Sequence, residues 1–168
     1  MPITLQSYER AAAVAYAHRW AYGRNPDFYN YDTVGGDCTN FASQCLLAGG
    51  GAMNFTPDFG WYYITANQKA PAWTGVRYLY QFLIRPQPSA GPAAVETGTE
   101  EIMPGDLVQL SFDGRQFVHS PVIVAVGRTK EPSSILIAAH TEDSDYRPLS
   151  TYPYQKARFL HITGIYRP

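Results

Sequence analysis

An α+β domain, with helices first and an antiparallel sheet after them, is the fold class this sequence predicts. Two patterns carry the prediction. As far as Ile84 apolar residues recur at helical spacing, and from Asp106 onward they alternate with period two. A third observation sets the domain count: 168 residues, 45% hydrophobic, with no internal repeat or low-complexity tract, fit a single domain over 1–168.

Ser7 can cap a first helix running to about Tyr22, with Glu9 in its first turn and Gly23, Asn25 and Pro26 closing it. Its stripes are Ala-rich (Ala11, Ala12 and Ala15; Ala17 and Ala21), which lets a neighbouring helix approach closely. Polar, aromatic and turn-forming residues make 25–36 a loop. A second helix is predicted over Cys38–Ala48. Gly35 and Gly36 free the backbone before it, Asp37 is a good N-cap residue, and Phe41, Ala42, Cys45 and Leu46 face inward. Gly49, Gly50 and Gly51 end it. Residues 54–71, dominated by Trp61, Tyr62 and Tyr63, read as irregular, with a turn of helix at most. Val76, Leu79, Tyr80 and Leu83 predict a third helix over 74–84. Pro86, Pro88, Gly91, Pro92 and Gly98 make 85–100 a long connection. A strand over 106–112, a turn at Asp113-Gly114 and a returning strand over 116–126 follow. After a charged loop, 135–140 and 158–166 read as further strands.

Thirteen basic residues balance fourteen acidic ones, a net charge of −1 that gives no footprint for nucleic acid or an anionic membrane. No apolar run approaches the ~18 residues a membrane span needs. The opening from Met1 to Tyr22 lacks the basic-then-apolar order of a secretion signal, so the location of the protein stays open. Thirteen Tyr, eight Phe and three Trp fit an aromatic core or an aromatic-walled groove.

Cys38 and Cys45 are the two cysteines. Seven positions apart on one helix, their α-carbons stand about 10 Å from each other, beyond the ~7 Å a disulfide spans. Both are therefore read as free thiols. Cys45, in mid-helix among apolar neighbours, reads as core. Cys38 opens its helix, where unpaired N–H groups and the positive end of the dipole favour a thiolate and can hold an oxyanion. Of the four histidines, His18 and His161 read as structural, and none shows zinc-ligand spacing, so neither metal nor cofactor is expected. His119 and His140 lie on strands joined by a loop centred near Thr129 or Lys130. Antiparallel pairing about that centre sets His119 opposite His140 or Thr141, with β-carbons roughly 5 Å apart. A base with a polar residue on the next strand is what a thiol nucleophile needs.

A family resemblance follows from these residues. Gly36-Asp37-Cys38-Thr39-Asn40-Phe41-Ala42-Ser43-Gln44-Cys45-Leu46 resembles the motif of the bacterial putative amidase domain. So do Trp61-Tyr62-Tyr63 with Trp73-Thr74, Pro104-Gly105-Asp106, His119-Ser120-Pro121 and His140-Thr141-Glu142-Asp143, in collinear order. That family looks like a branch of the papain-like cysteine hydrolases, beside the NlpC-type and CHAP cell-wall enzymes. The resemblance implies a papain-like fold, with the nucleophile at a helix N-terminus and the helices packed on an antiparallel sheet. It implies cysteine-dependent amide hydrolysis through a thioester, on peptidoglycan stem peptides or related peptides. Cys38 would be the nucleophile and His119 the base. His140 would orient the imidazole, with Asp143 as the rival for that role. Asp37 could meet a substrate amine, and Trp61 and Trp73 could wall the cleft. The alternatives are a peptide- or glycan-binding module without catalysis, and an acyltransferase using the same Cys-His pair.

Overall fold

The computed structural model describes residues 2–168 and has helices and an antiparallel sheet in the order expected of an α+β domain. The helices are α1 (Arg10–Trp20), α2 (Cys38–Ala48), α3 (Pro71–Thr74) and α4 (Val76–Leu83). The strands are β1 (Thr4–Gln6), β2 (Tyr63–Thr65), β3 (Gln68–Lys69), β4 (Gly91–Thr97), β5 (Leu107–Ser111), β6 (Val122–Val126), β7 (Ile135–Ala139), β8 (Ser144–Pro148) and β9 (Lys156–Arg167). β2 and β3 form a separate small hairpin. The other seven make one curled antiparallel sheet.

Period-two alternation gives that sheet two apolar faces. Leu107, Val122, Val124, Ala138, Leu160 and Ile162 look one way, onto Ala17, Phe41, Cys45, Leu46, Trp61, Trp73 and Leu79 of the helical layer. Val108, Leu110, Ile123, Ile135, Ile137 and Ala139 look the other way, into a second core closed by Ile102, Leu149 and Tyr152. β9 is long enough to serve three partners. β4 pairs along one edge from Phe159 to Tyr166, while β5 and β1 share the other edge at Lys156–Leu160 and Ile165–Arg167.

Several expectations are corrected. The first helix begins at Arg10 rather than after Ser7, because 4–6 pair with β9 and no side chain caps the start. Residues 85–100 are not all connection: 91–97 form β4. Pro92 is tolerated there because β4 is an edge strand, paired only with β9, and can spare a backbone donor. The third helix is split by Gly75 into α3 and α4. The return over 116–126 pairs continuously only from Val122, preceded by an isolated bridge between Leu110 and His119. β8 and the β2–β3 hairpin were not anticipated.

The buried Asp106 explains the Pro104-Gly105-Asp106 motif. Its carboxylate accepts from Arg10 Nη1 at 2.7 Å, from the Met103 and Ile162 amides at 2.8 Å each, and from His161 Nδ1 at 2.9 Å. One side chain thus ties α1, the entry to β5 and β9 together. Gly105, at φ +95°, supplies the left-handed turn that aims it.

Candidate active site

The turn into α2 is built by two glycines. Gly35 and Gly36 sit at φ +84° and +95°, where a side chain would be strained. The turn closes on Tyr31, whose carbonyl accepts from the Val34 and Gly36 amides at 2.9 and 3.0 Å. Contrary to the expectation of an N-cap, the Asp37 side chain does not cap the helix. Its Oδ1 accepts from the Tyr31 amide at 2.8 Å and from Asn40 Nδ2 at 2.9 Å, and its Oδ2 accepts from His140 Nδ1 at 2.5 Å. Burial alone would raise its pKa; the hydrogen bonds from His140, Asn40 and the Tyr31 amide outweigh burial and leave it below the usual carboxylate value.

His140 is held on both sides, Nδ1 on Asp37 and Nε2 on the Trp20 carbonyl at 2.8 Å, with its ring stacked 4.0 Å from Phe41. The Trp20 carbonyl can only accept, so Nε2 donates to it, and one hydrogen lies between Nδ1 and Asp37 Oδ2. The result is a buried His140–Asp37 pair bracing α1, α2 and the end of β7 against one another. The strand register lies within one residue of the expected one, with Val122 opposite Ala138 and Val126 opposite Ile135. The imidazole expected to orient His119 nevertheless spends both nitrogens on other partners. Asp143, the rival for that role, is engaged by Arg24, with Nη2 to Oδ1 at 2.9 Å.

Cys38 and His119 line the same cavity, about 480 Å³ in volume, with Gly35, Gly36, Phe112, Val118, Thr141, Glu142, Arg147, Tyr152 and Pro153. A smaller lobe of about 310 Å³ opens on the other side of Cys38, between Thr74–Tyr78 and Phe117–Val118. The sulfur therefore stands where two arms of a cleft meet. Sγ lies 3.7 Å from Thr39 Oγ1 and 3.9 Å from the Val118 carbonyl, beside the backbone that carries His119. His119 is buried, and its Nε2 lies 3.3 Å from the Tyr152 hydroxyl. Arg147 packs 3.6 Å over the Tyr152 ring and reaches Glu142 at 3.4 Å.

Electrostatics in this cleft differ from the expectation of a ready-made thiolate. Burial raises the Cys38 pKa, against the smaller opposing effects of the Thr39 hydroxyl and the Ser120 and Thr39 amides. Burial, helped by the positive charge of Arg147, lowers His119 to about 4. Desolvation outweighs the helix terminus at the sulfur, so at neutral pH the cleft holds a neutral thiol and a neutral imidazole. Tyr152 is raised by burial and stays a phenol.

The remaining expected site residues lie elsewhere. Trp61 and Trp73 are fully buried, their rings 4.7 Å apart, with indole N–H groups donating to Ser43 Oγ and Asn40 Oδ1. They brace the underside of α2 and line neither lobe of the cleft. Asp37 is likewise sealed from it. Cys45 is a free thiol inside the core. His18 pairs with Asp145 and His161 with Asp106. Among the described residues, no three His, Cys, Asp or Glu side chains gather as metal ligands would. Tyr152 and Arg147 were missed from sequence. Neither stands in a spaced motif: Arg147 comes from β8, and the turn after that strand carries Tyr152 to His119. Glu142 stood inside a quoted motif, though without a role.

The family described as a putative amidase domain matches residues 7–163. The chain is 34% identical over 164 residues to the uncharacterized protein YhbB of Bacillus subtilis, across 92% of this chain and 50% of that protein. It thus spans about half the length of that curated relative. No solved structure matches it.

Proposed function

The chain belongs to the putative amidase domain family, and on that footing we propose that it is a cysteine-dependent amidase of papain-like design, with Cys38 as nucleophile and His119 as general base. The observation that carries this reading is the shared cavity: the thiol that opens α2 and the imidazole on the strand segment beside it line one solvent-reached space.

The proposed cycle starts from the neutral pair. As substrate enters, His119 takes the Cys38 proton while the sulfur bonds to the amide carbonyl carbon. The proton transfer and the attack are coupled, because neither ion is stable alone in so buried a site. The opening amides of α2 have no acceptor within the helix and stabilise the oxyanion. The carbon–nitrogen bond then breaks, the imidazolium proton leaves with the amine, and a thioester remains. Water, deprotonated by His119, attacks the thioester; the carbon–sulfur bond breaks, and acid and thiol are released. For His119 to accept through Nδ1, Nε2 must carry the hydrogen and donate it to the Tyr152 oxygen, which fixes tautomer and ring direction together. Tyr152 is thus a positioning residue. His140 acts one step further back, holding Asp37 and through it the turn that presents Cys38.

Peptidoglycan stem peptides or related peptides are the proposed substrates, from the cell-wall hydrolases that the nucleophile motif resembles. The test incubates parent and Cys38→Ala protein with wall fragments and with short L-, D- and γ-linked peptides, reading products by mass with and without an added amine. Parent-dependent release of acid and amine, abolished in Cys38→Ala, is expected. Hydrolysis by Cys38→Ala at the parental rate would refute the nucleophile assignment, and amine-capped products in place of acids would make the chain an acyltransferase.

A further inference from the structure

Beyond the Arg77–Phe117 end of the smaller lobe lies a third cavity of about 450 Å³, lined by Arg77, Arg115, Gln116, Phe117 and Arg158. Arg77 and Phe117 line both spaces, so the cleft runs on from Cys38 into this one. Three of its five lining side chains are guanidiniums and none is acidic. Among the described residues, Arg10, Arg24 and Arg147 each have a carboxylate within 4.0 Å, but none of these three does.

Arg158 is fixed in place. Its Nε and Nη2 donate to Gln109 Oε1 at 2.9 and 2.6 Å, and its guanidinium lies 3.6 Å over the Tyr80 ring and 4.0 Å over that of Phe117. Glu96, the acid acting on it from a distance, is taken up by the Tyr80 hydroxyl at 2.6 Å. Burial lowers the Arg158 pKa from the ordinary arginine value, outweighing the opposing effects of Tyr80 and the more distant Glu96. Gln109 also donates to Ser120 Oγ at 3.1 Å, which accepts from Thr39 Oγ1 at 3.2 Å, next to Cys38. A continuous polar chain therefore sets the spacing between this cation and the thiol.

We propose that the Arg77, Arg115 and Arg158 pocket binds a carboxylate of an acidic peptide whose backbone lies along the cleft past Cys38. The planar guanidiniums of Arg77 and Arg115 match a carboxylate in paired hydrogen bonds, while Arg158, whose Nε and Nη2 donate to Gln109, adds its charge. The pocket adjoins the proposed amide-cleaving centre, so its occupant belongs to the same amide-bearing chain; this identification rests on the amidase reading, whereas the binding itself does not. Arg77 and Arg115 are exposed, and their side chains make no hydrogen bond or ion pair among the described residues, so replacing them leaves the scaffold intact.

The experiment measures equilibrium binding of fluorescent hexapeptide pools, identical except for Glu against Gln, to Cys38→Ala protein in low salt. Inorganic phosphate is the competitor. The Glu pool should bind about tenfold more tightly than the Gln pool, phosphate should displace it, and Arg77→Gln with Arg115→Gln should erase the difference. Equal binding of the two pools, no binding of either, or a preference that survives in the double variant would overturn the proposal. Tight phosphate binding with no Glu preference would also overturn it, marking a phosphate site instead. Because nothing is cleaved in this assay, a failed nucleophile assignment shows up separately, as hydrolysis by Cys38→Ala.

Discussion

Replacing His140 by Ala tests how the turn that leads into Cys38 is held. The side chains of His140 and Asp37 are each 1% exposed. Removing the imidazole strips Asp37 Oδ2 of its shortest hydrogen bond, leaves the Trp20 carbonyl with the Gly23 amide at 3.1 Å alone and takes away the stack on Phe41. Leaving a buried carboxylate without its hydrogen-bonded partner costs about 3–5 kcal/mol. For a domain of this length each kcal/mol moves Tm by about 2–4 °C, so His140→Ala should melt roughly 6–20 °C below the parent. Asp37→Asn should cost much less, about 1–2 kcal/mol. Its amide oxygen still accepts from Tyr31 and Asn40, and its NH₂ can donate to an Nδ1 that has given up its hydrogen. The contrast should also fade in acid. The folded pKa of Asp37 is depressed, so the carboxylate's contribution is complete above about pH 4 and is lost as pH falls through the lower folded value. Urea unfolding of the three proteins at pH 7, repeated at stepwise lower pH, provides the measurement. A His140→Ala protein within 1 kcal/mol of the parent, or an Asp37→Asn protein less stable than His140→Ala, would refute the reasoning.

The remaining predictions concern the cleft. Alkylation of Cys38 by iodoacetamide should keep climbing about tenfold per pH unit past neutrality, because the thiol is raised and only its thiolate reacts. A rate plateau between about pH 5 and 8 would instead mark a preformed thiolate–imidazolium pair. His119→Ala should lower kcat by about 10²–10⁴. Tyr152→Phe should lower it by about tenfold, with the loss in kcat rather than KM and with Tm nearly unchanged. A Tyr152→Phe enzyme of full activity would remove that hydroxyl from the mechanism.

Where each element came from local pattern, the sequence was a good guide. The glycine pair, the thiol at a helix start and the run of inward apolar residues located α2 to the residue. Alternation located β5, β7 and most of β9. The elements that escaped are those whose stability is not local. β4 contains Gly91 and Pro92 and exists because β9 lends it an edge; β8 is polar and pairs only with β7. The site follows the same division. Cys38 and His119 stand in motifs, and the fold gives them one cavity. The company each imidazole keeps was not legible, because register says which backbones are opposite and not where rings point. His140 turned to Asp37, and the hydroxyl beside His119 came from Tyr152, thirty-three positions away. The charge state of the thiol escaped for a related reason: a helix dipole can be read from sequence, but the depth of burial that outweighs it cannot.

The three-way pairing of β9 has a consequence for assembly. Its partners are drawn from near residues 5, 94 and 109, so most of the sheet's long-range order waits on the domain's last strand. Pairings of that kind close large loops, and they form late and slowly. β5 in turn carries the Leu110 bridge to His119. His119 should therefore be among the final parts of the molecule to settle, and a half-made domain would hold the Cys38 thiol in a cleft not yet closed around it.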